Sequence, residues 1–297
     1  MRLRTAVPLL LAFALTTVAS AARAQAGPDS ATADTLHTHL LKLRDGSTLV
    51  GRVLAETPDS IRFESNGTVF TVPRTRVEEL RAITPREVKN GEYWFPDPNE
   101  TRLFFAPTAR TLKKGEGYFS DSYLLFLNFV GGVTSNVTMG GGFSIIPSTN
   151  PQNNVVYLTP KVGLLERPNF ALAAGALIGF AGFEDLEARD RSFGIAYGVA
   201  SAGPPDHHLD LGLGWGYTGG KISGDPAVML GGATRISRRT ALVTENYIVP
   251  SVSKDALVSY GVRFFGEKLS VDLAFFNVTG GDFLFPGIPY IAFAVKF

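Results

Sequence analysis

The sequence predicts an all-β chain, an antiparallel transmembrane β-barrel of about twelve strands preceded by a small β-barrel domain. Three observations carry this expectation. Apolar residues alternate with small or polar ones along the second two-thirds of the chain. The clearest stretch is His208 to Thr218, where Leu209, Leu211, Leu213, Trp215 and Tyr217 share one face. Most of these runs are about ten residues long, enough for a tilted strand to cross the hydrocarbon layer, whereas soluble strands peak near about five or six. Finally, the chain ends Tyr290-Ile-Ala-Phe-Ala-Val-Lys-Phe297. Ile291, Phe293, Val295 and Phe297 would make a sticky edge in water, but in a bilayer they make a closing strand with an interfacial aromatic.

Composition narrows the chemistry. The 297 residues include no cysteine, which excludes disulfides, a thiolate nucleophile and a lipid-modified N-terminal cysteine. A formal net charge of +1 gives no electrostatic case for binding nucleic acid. The 32 glycines and 22 phenylalanines, without a Gly-X-Y period, suit closely packed strands and turns.

The N-terminus has the layout of a secretory signal peptide over residues 1–26. A basic start, Met1 to Arg4, is followed by an apolar run from Ala6 to Ala19 and two small-residue cleavage patterns, Ala22-Arg-Ala24 and Ala24-Gln-Ala26. The run is shorter than the about 20 residues of a membrane-spanning helix. Residues 27–36 form a flexible lead-in. Residues 37–84 carry five short alternating runs, with Asp45-Gly46 and Asn66-Gly67 as hairpin dipeptides. Lys42-Leu-Arg-Asp-Gly-Ser47, Gly51-Arg-Val53, Ile61-Arg-Phe63 and Gly67 resemble the Sm-like family, and the segment as a whole suggests an Sm-like or SH3-like small barrel. The RNA binding of some Sm-like domains conflicts with export, so a periplasmic packing or docking module is expected. His37 and His39 could ligate a metal only with further ligands, and no candidate lies nearby; the expectation is no metal and no cofactor.

Residues 85–100 form a Pro-rich linker with an aromatic patch at Tyr93-Trp94-Phe95. The barrel follows over residues 101–297. Its expected strands lie near 102–110, 117–129, 135–146, 155–165, 170–182, 191–202, 207–219, 225–236, 240–250, 256–265, 268–278 and 288–297. An even number suits single-chain bacterial barrels. The C-terminal residues Tyr290, Ile291, Phe293, Val295 and Phe297 resemble the assembly signal of bacterial outer-membrane barrels. That resemblance implies outer-membrane lipid as the surroundings and the barrel-insertion machinery as a partner during assembly. Gly132-Val-Thr-Ser-Asn136 is similar to a turn frequent in these barrels. Counting back from a periplasmic C-terminus puts the turns at 132–135, 166–169, 203–207, 237–239 and 266–268 in the periplasm. The connections at 113–116, 147–154, 183–191, 219–225, 251–255 and 279–289 then fall outside.

Seven charges fall on faces that should look inward: Lys161, Asp210, Arg235, Glu245, Arg263, Asp272 and Lys296. Facing lipid, a Lys or Arg near the midplane costs about 2–4 kcal/mol. The last six alternate in sign from strand to strand, at a strand spacing of about 5 Å. They read either as a constriction that selects a polar solute or as a mutually neutralising structural belt. A balanced belt has little net field to select an ion, so the structural reading is preferred. Inward Glu245 sends Thr244 and Asn246 toward lipid, which requires a bulge or a different face.

The outer-membrane phospholipase, a twelve-stranded barrel, uses Ser, His and Asn near the outer surface. Here the barrel's histidines, His207 and His208, sit at an expected periplasmic turn, so no catalytic residue is assigned. Glu184, Asp185 and Glu187 read as a solvated acidic loop rather than a cation site. The expected protein is a non-catalytic outer-membrane barrel, structural or porin-like with passive small-solute transport. The alternatives are a scaffold whose small domain binds a periplasmic partner or the cell wall, and a lipid-modifying enzyme.

Overall fold

The computed structural model describes residues 38–147, 154–182, 191–280 and 285–297. The expected signal peptide, the lead-in, His37 and the acidic cluster Glu184, Asp185 and Glu187 lie outside the described residues. The chain divides into two compact units, one carrying most of a five-stranded sheet and the other extending from Ile83 to Phe297.

The sheet comprises β1 (Thr38–Leu43), β2 (Thr48–Glu56), β3 (Ser60–Ser65), β4 (Thr68–Pro73) and β5 (Val77–Ile83), in the order β4-β3-β2-β1-β5. Alternation puts Leu41, Leu43, Ile61 and Phe63 on the buried side. Asn66 and Gly67 both take positive φ, 49° and 76°, as a two-residue hairpin of this hand requires.

In the second unit β6 (Val88–Lys89) and β7 (Glu92–Tyr93) form a minimal hairpin. The wall strands are β8 (Gly117–Ser122), β9 (Phe126–Gly132), β10 (Val137–Ser144), β11 (Val155–Leu158) continued by β12 (Lys161–Arg167), β13 (Phe170–Ala181), β14 (Ser192–Ala202), β15 (His207–Thr218), β17 (Ala227–Ser237), β18 (Thr240–Ile248), β19 (Ala256–Phe265), β20 (Leu269–Val278) and β21 (Ile288–Lys296). A two-residue strand, β16 (Lys221–Ile222), extends the β15 hairpin. Both β11 and β12 pair with β10 and with β13, so they are two halves of one wall strand, broken where Pro160 offers no N–H. Because β21 pairs with β8 and β9 with β10, the ladder closes on itself as an antiparallel barrel of twelve strands. Closure removes both sheet edges.

The expected number of strands is reached along a different path. The segment 102–110, expected as the first wall strand, is not in the wall; it lies in the lumen. The segment 117–129, expected as one strand, belongs to two, β8 and β9, joined by a turn at Tyr123 and Leu124 with φ of 61° and 59°. This moves Lys113–Glu116 to the rim that carries the C-terminus, where Gly115 N–H donates to Gly132 O (3.0 Å) and Lys296 pairs with Glu116 (3.1 Å). That rim also holds the short connections at 133–136, 168–169, 203–206, 238–239 and 266–268, and we call it the short-turn rim. The opposite rim carries the longer loops, together with the tight 123–125 turn.

Outside, the wall is apolar. On β15 Leu209, Leu211, Leu213 and Trp215 are exposed, while Asp210 between them is fully buried. Phe129, Leu172, Leu230, Leu242, Phe264, Leu273 and Ile291 extend the exposed apolar surface around the barrel. A surface of this extent is incompatible with life in water and suits acyl chains. Among the described residues no helix is long and apolar enough to cross a membrane. Replacing Leu213, mid-strand and outward, by lysine is expected to cost about 2–4 kcal/mol in reversible denaturant unfolding from a bilayer. An unchanged transition midpoint would remove Leu213 from the lipid-facing surface.

Candidate functional site, a plugged lumen

Small residues on the inward face, including Ala171, Ala173, Ala274 and Ala292, leave room inside the barrel, and the chain itself fills it. Residues 94–113 enter at the short-turn rim, turn in mid-lumen and return to the same rim. The turn is a distorted hairpin, with Leu103 N–H donating to Ala106 O (2.8 Å), Thr108 N–H to Thr101 O (3.0 Å) and a bridge between Arg102 and Pro107. Leu103, Phe104, Ala106 and Ala109 pack with Val199, Met229, Val243, Phe276 and Tyr290 in one apolar core. Gly231 permits the approach, since a Cβ there would lie 2.5 Å from Leu103 Cδ1 and 2.6 Å from Thr244 O. Gly231→Val is therefore expected to lose about 1–3 kcal/mol in urea unfolding, an overpacking cost shared between the plug's Leu103 and the wall's own Thr244 carbonyl.

The inward charges hold this plug. Glu245, fully buried, accepts hydrogen bonds at its carboxylate from three consecutive plug N–H groups, those of Phe104 (2.7 Å), Phe105 (3.0 Å) and Ala106 (3.0 Å), and from the Tyr247 hydroxyl (2.6 Å). The plug turn is thus an anion nest closed around a wall carboxylate. Arg263 forks onto Asp272 of the next strand (2.6 and 3.1 Å). It also reaches Asp97 (3.0 Å) and the carbonyls of Asn99 (3.0 Å), Arg102 (3.3 Å) and Leu103 (2.6 Å). Lys161 donates to the carbonyls of Thr101 (3.1 Å), Thr108 (3.1 Å) and Arg110 (2.5 Å), using all three ammonium protons. Asp210 accepts from the Ser201 hydroxyl and bonds His208 Nδ1 (2.7 Å), while Ser201 Oγ accepts the N–H of Ala109 (2.9 Å).

Arg235 works at the short-turn rim. It donates to the carbonyls of Phe95 (3.0 Å) and Arg238 (2.6 Å), pairs with Asp206 (3.1 Å) and lies over the rings of Trp94 and Phe265, each 4.8 Å to the centroid. Burial raises the pKa of Asp206, but hydrogen bonds from Lys89 and Arg235 outweigh it and hold the carboxyl below its ordinary value. Lys296, half-buried, pairs with Glu116 rather than with the plug's main chain.

All seven expected charges therefore sit on the inner side or rim of the wall, but they do not neutralise one another around the ring. Arg263 with Asp272 is the one pair formed between two of the seven among the described residues. Most of the others engage the plug, which the sequence did not reveal. The polar residues beside Glu245 are accommodated without a register shift on either side of it, where Val243 faces Gly261 and Tyr247 faces Leu257. Asn246 donates to Leu230 O (3.0 Å) and accepts from Ser259 N–H (3.0 Å), and Thr244 donates to Ser259 O (2.7 Å). These side chains complete the ladder themselves and so tolerate a lipid-facing position. In the terminal strand Ile291 and Phe297 are exposed, but Tyr290 points inward, donates to Phe104 O (3.1 Å) and stacks edge-on against Phe105 at 4.8 Å.

Ser201, His208 and Asp210 do not form a nucleophilic triad, because serine and histidine both bond the aspartate rather than each other. His207 points outward to Thr234 (2.8 Å). Among the described residues no group of three or more His, Asp or Glu side chains is placed to hold a metal.

Between the plug and the long-loop rim lies a cavity of about 690 Å³. Arg102, Phe105, Ala106 and Pro107 form its floor, and Tyr157, Ile195, Tyr197, Met229, Tyr247 and Val249 line its mainly apolar wall.

A closed antiparallel barrel of twelve strands with an apolar exterior is a transmembrane β-barrel of the outer-membrane class. No protein-family model matches the sequence, and no curated protein matches it. Similar solved structures include a NanC porin, 8% identical over 61% of this chain and 97% of the porin, with a TM-score of 0.39. They also include OmpT, an outer membrane protein of Vibrio cholerae, 12% identical over 88% of this chain and 95% of OmpT, with a TM-score of 0.32.

Proposed function

We propose that this protein is a non-catalytic outer-membrane barrel whose lumen is held shut by its own plug, a structural or gated passive-transport element rather than an open pore. The supporting observation is the way Glu245, Arg263 and Lys161 use their hydrogen-bonding capacity on the plug backbone. Charged groups placed to select solutes would keep that capacity for the solute. The barrel-insertion machinery is its assembly partner, through the terminal strand ending in Phe297. The five-stranded unit, read as Sm-like, faces the periplasm and is available to a partner or the cell wall. A sealed lumen favours this scaffold role over free diffusion as the second reading.

Purified protein in a planar bilayer is expected to give no sustained conductance steps. Steady open-channel steps from the unmodified chain would overturn the proposal.

A further inference from the structure

We infer that the cavity above the plug is a binding site for a single-chain amphiphile with a terminal carboxylate. The inference rests on the plugged-lumen reading, because the plug supplies the floor and its cation. At about 690 Å³ the cavity falls within the about 300–1,000 Å³ of small-molecule sites. Its wall of Ile195, Met229 and Val249 with the faces of Tyr157, Tyr197 and Tyr247 offers an acyl chain the contact it lacks in water.

The charge on the floor selects the head group. Two cations and no carboxylate line the cavity among the described residues. Lys161 has no proton to offer, since three plug carbonyls take them. Arg102 differs. Its Nε donates to the neutral Asn99 Oδ1 (3.0 Å), its Nη2 is buried without a hydrogen-bond partner, and no carboxylate pairs with it. Arg102 is half-buried, and an Nη2 held out of water without a partner is costly. A carboxylate bound end-on at the floor would supply two acceptor oxygens in the geometry the guanidinium prefers. On the wall, Asn128 Oδ1 is also buried without a partner. It is an acceptor, and a water accompanying the carboxylate can donate to it. One wall cation saturated by the plug backbone and one floor cation left unsaturated distinguish this cavity from a void left by imperfect packing.

The test uses the full barrel in detergent with hexadecanoate carrying a photoreactive group near its methyl end. Cross-links are expected on cavity peptides containing Ile195, Tyr197 or Val249. Unlabelled hexadecanoate should compete roughly 10- to 100-fold better than hexadecanol, the margin of one buried charge-assisted bond. Arg102→Ala should erase that margin, and Arg102→Lys should restore part of it. Because Arg102 belongs to the plug, Val249→Trp gives an independent check from the wall; it should block labelling while heat-modifiable gel migration stays normal. Labelling confined to outward residues such as Leu209 and Leu211, or equal competition by acid and alcohol, would overturn the inference. Conductance remains the separate measure of whether the plug is seated. A silent channel with no cavity labelling would reject the ligand and leave the plug intact.

Discussion

Glu245→Ala is expected to turn a silent barrel into a conducting one. The substitution removes the acceptor for the N–H groups of Phe104, Phe105 and Ala106 and for the Tyr247 hydroxyl, all inside the lumen. Each buried donor left without a partner costs about 1–3 kcal/mol. The plug turn escapes that cost by leaving the nest and finding water, and the lumen opens as it leaves. The ladder on either side of Glu245 needs only backbone and the Ser259, Asn246 and Thr244 side chains, so the wall should survive. Planar-bilayer recording should reveal steps absent from the parent, with heat-modifiable migration retained. Glu245→Gln, which keeps one acceptor oxygen but points an NH₂ group at other donors, should fall between them. A Glu245→Ala barrel as silent and as stable as the parent would remove the nest from the sealing mechanism.

The second large effect belongs to Arg263. Arg263→Met strands Asp272 as a buried charge, leaves the half-buried Asp97 without this partner and releases the carbonyls of Asn99, Arg102 and Leu103. Breaking a buried pair on one side costs about 3–5 kcal/mol, whereas replacing both partners by apolar residues is often close to neutral. Arg263→Met combined with Asp272→Leu should therefore regain much of the stability lost by the single variant in urea unfolding. It should not regain the seal, because the plug carbonyls remain without their donor. Wall stability and lumen closure are separable at this one residue. A double variant that is both restored in stability and electrically silent would show that Arg263 serves the wall alone.

The barrel was legible in the sequence because lipid on one side and a crowded lumen on the other impose alternation on every wall strand. Leu209 to Trp215 is the clearest instance, and the inward placement of Asp210 and Arg263 follows from the same rule. The plug was not legible. Arg102-Leu-Phe-Phe-Ala-Pro-Thr-Ala-Arg110 is short and apolar like a strand, and only Pro107 and the unbroken Leu103-Phe-Phe-Ala106 run depart from the pattern. A segment enclosed in the barrel's interior, with Phe105 turned to a mainly apolar cavity, has no solvent face to set a period. The β8–β9 turn was hidden for a different reason. Tyr123 and Leu124 take positive φ without the Gly or Asn that ordinarily marks such a turn. Asp121 and Ser122, buried beside the turn, carry the local signal as turn-favouring residue types. The charges could be placed but their partners could not, because those partners are main-chain atoms of a segment far away in sequence.

The plug's two ends leave through the same mouth. Phe95 meets Arg235 beside the 238–239 turn, and Lys113 leaves next to Gly132, where a Cβ would lie 2.1 Å from the Lys113 carbonyl oxygen. A stopper tethered in this way is not threaded through the cylinder. It can be drawn out and reseated by a pull from one side, with no strand unzipped and no knot to undo. Force or binding applied to the stretch before Trp94 would therefore uncork the barrel while leaving its staves in place.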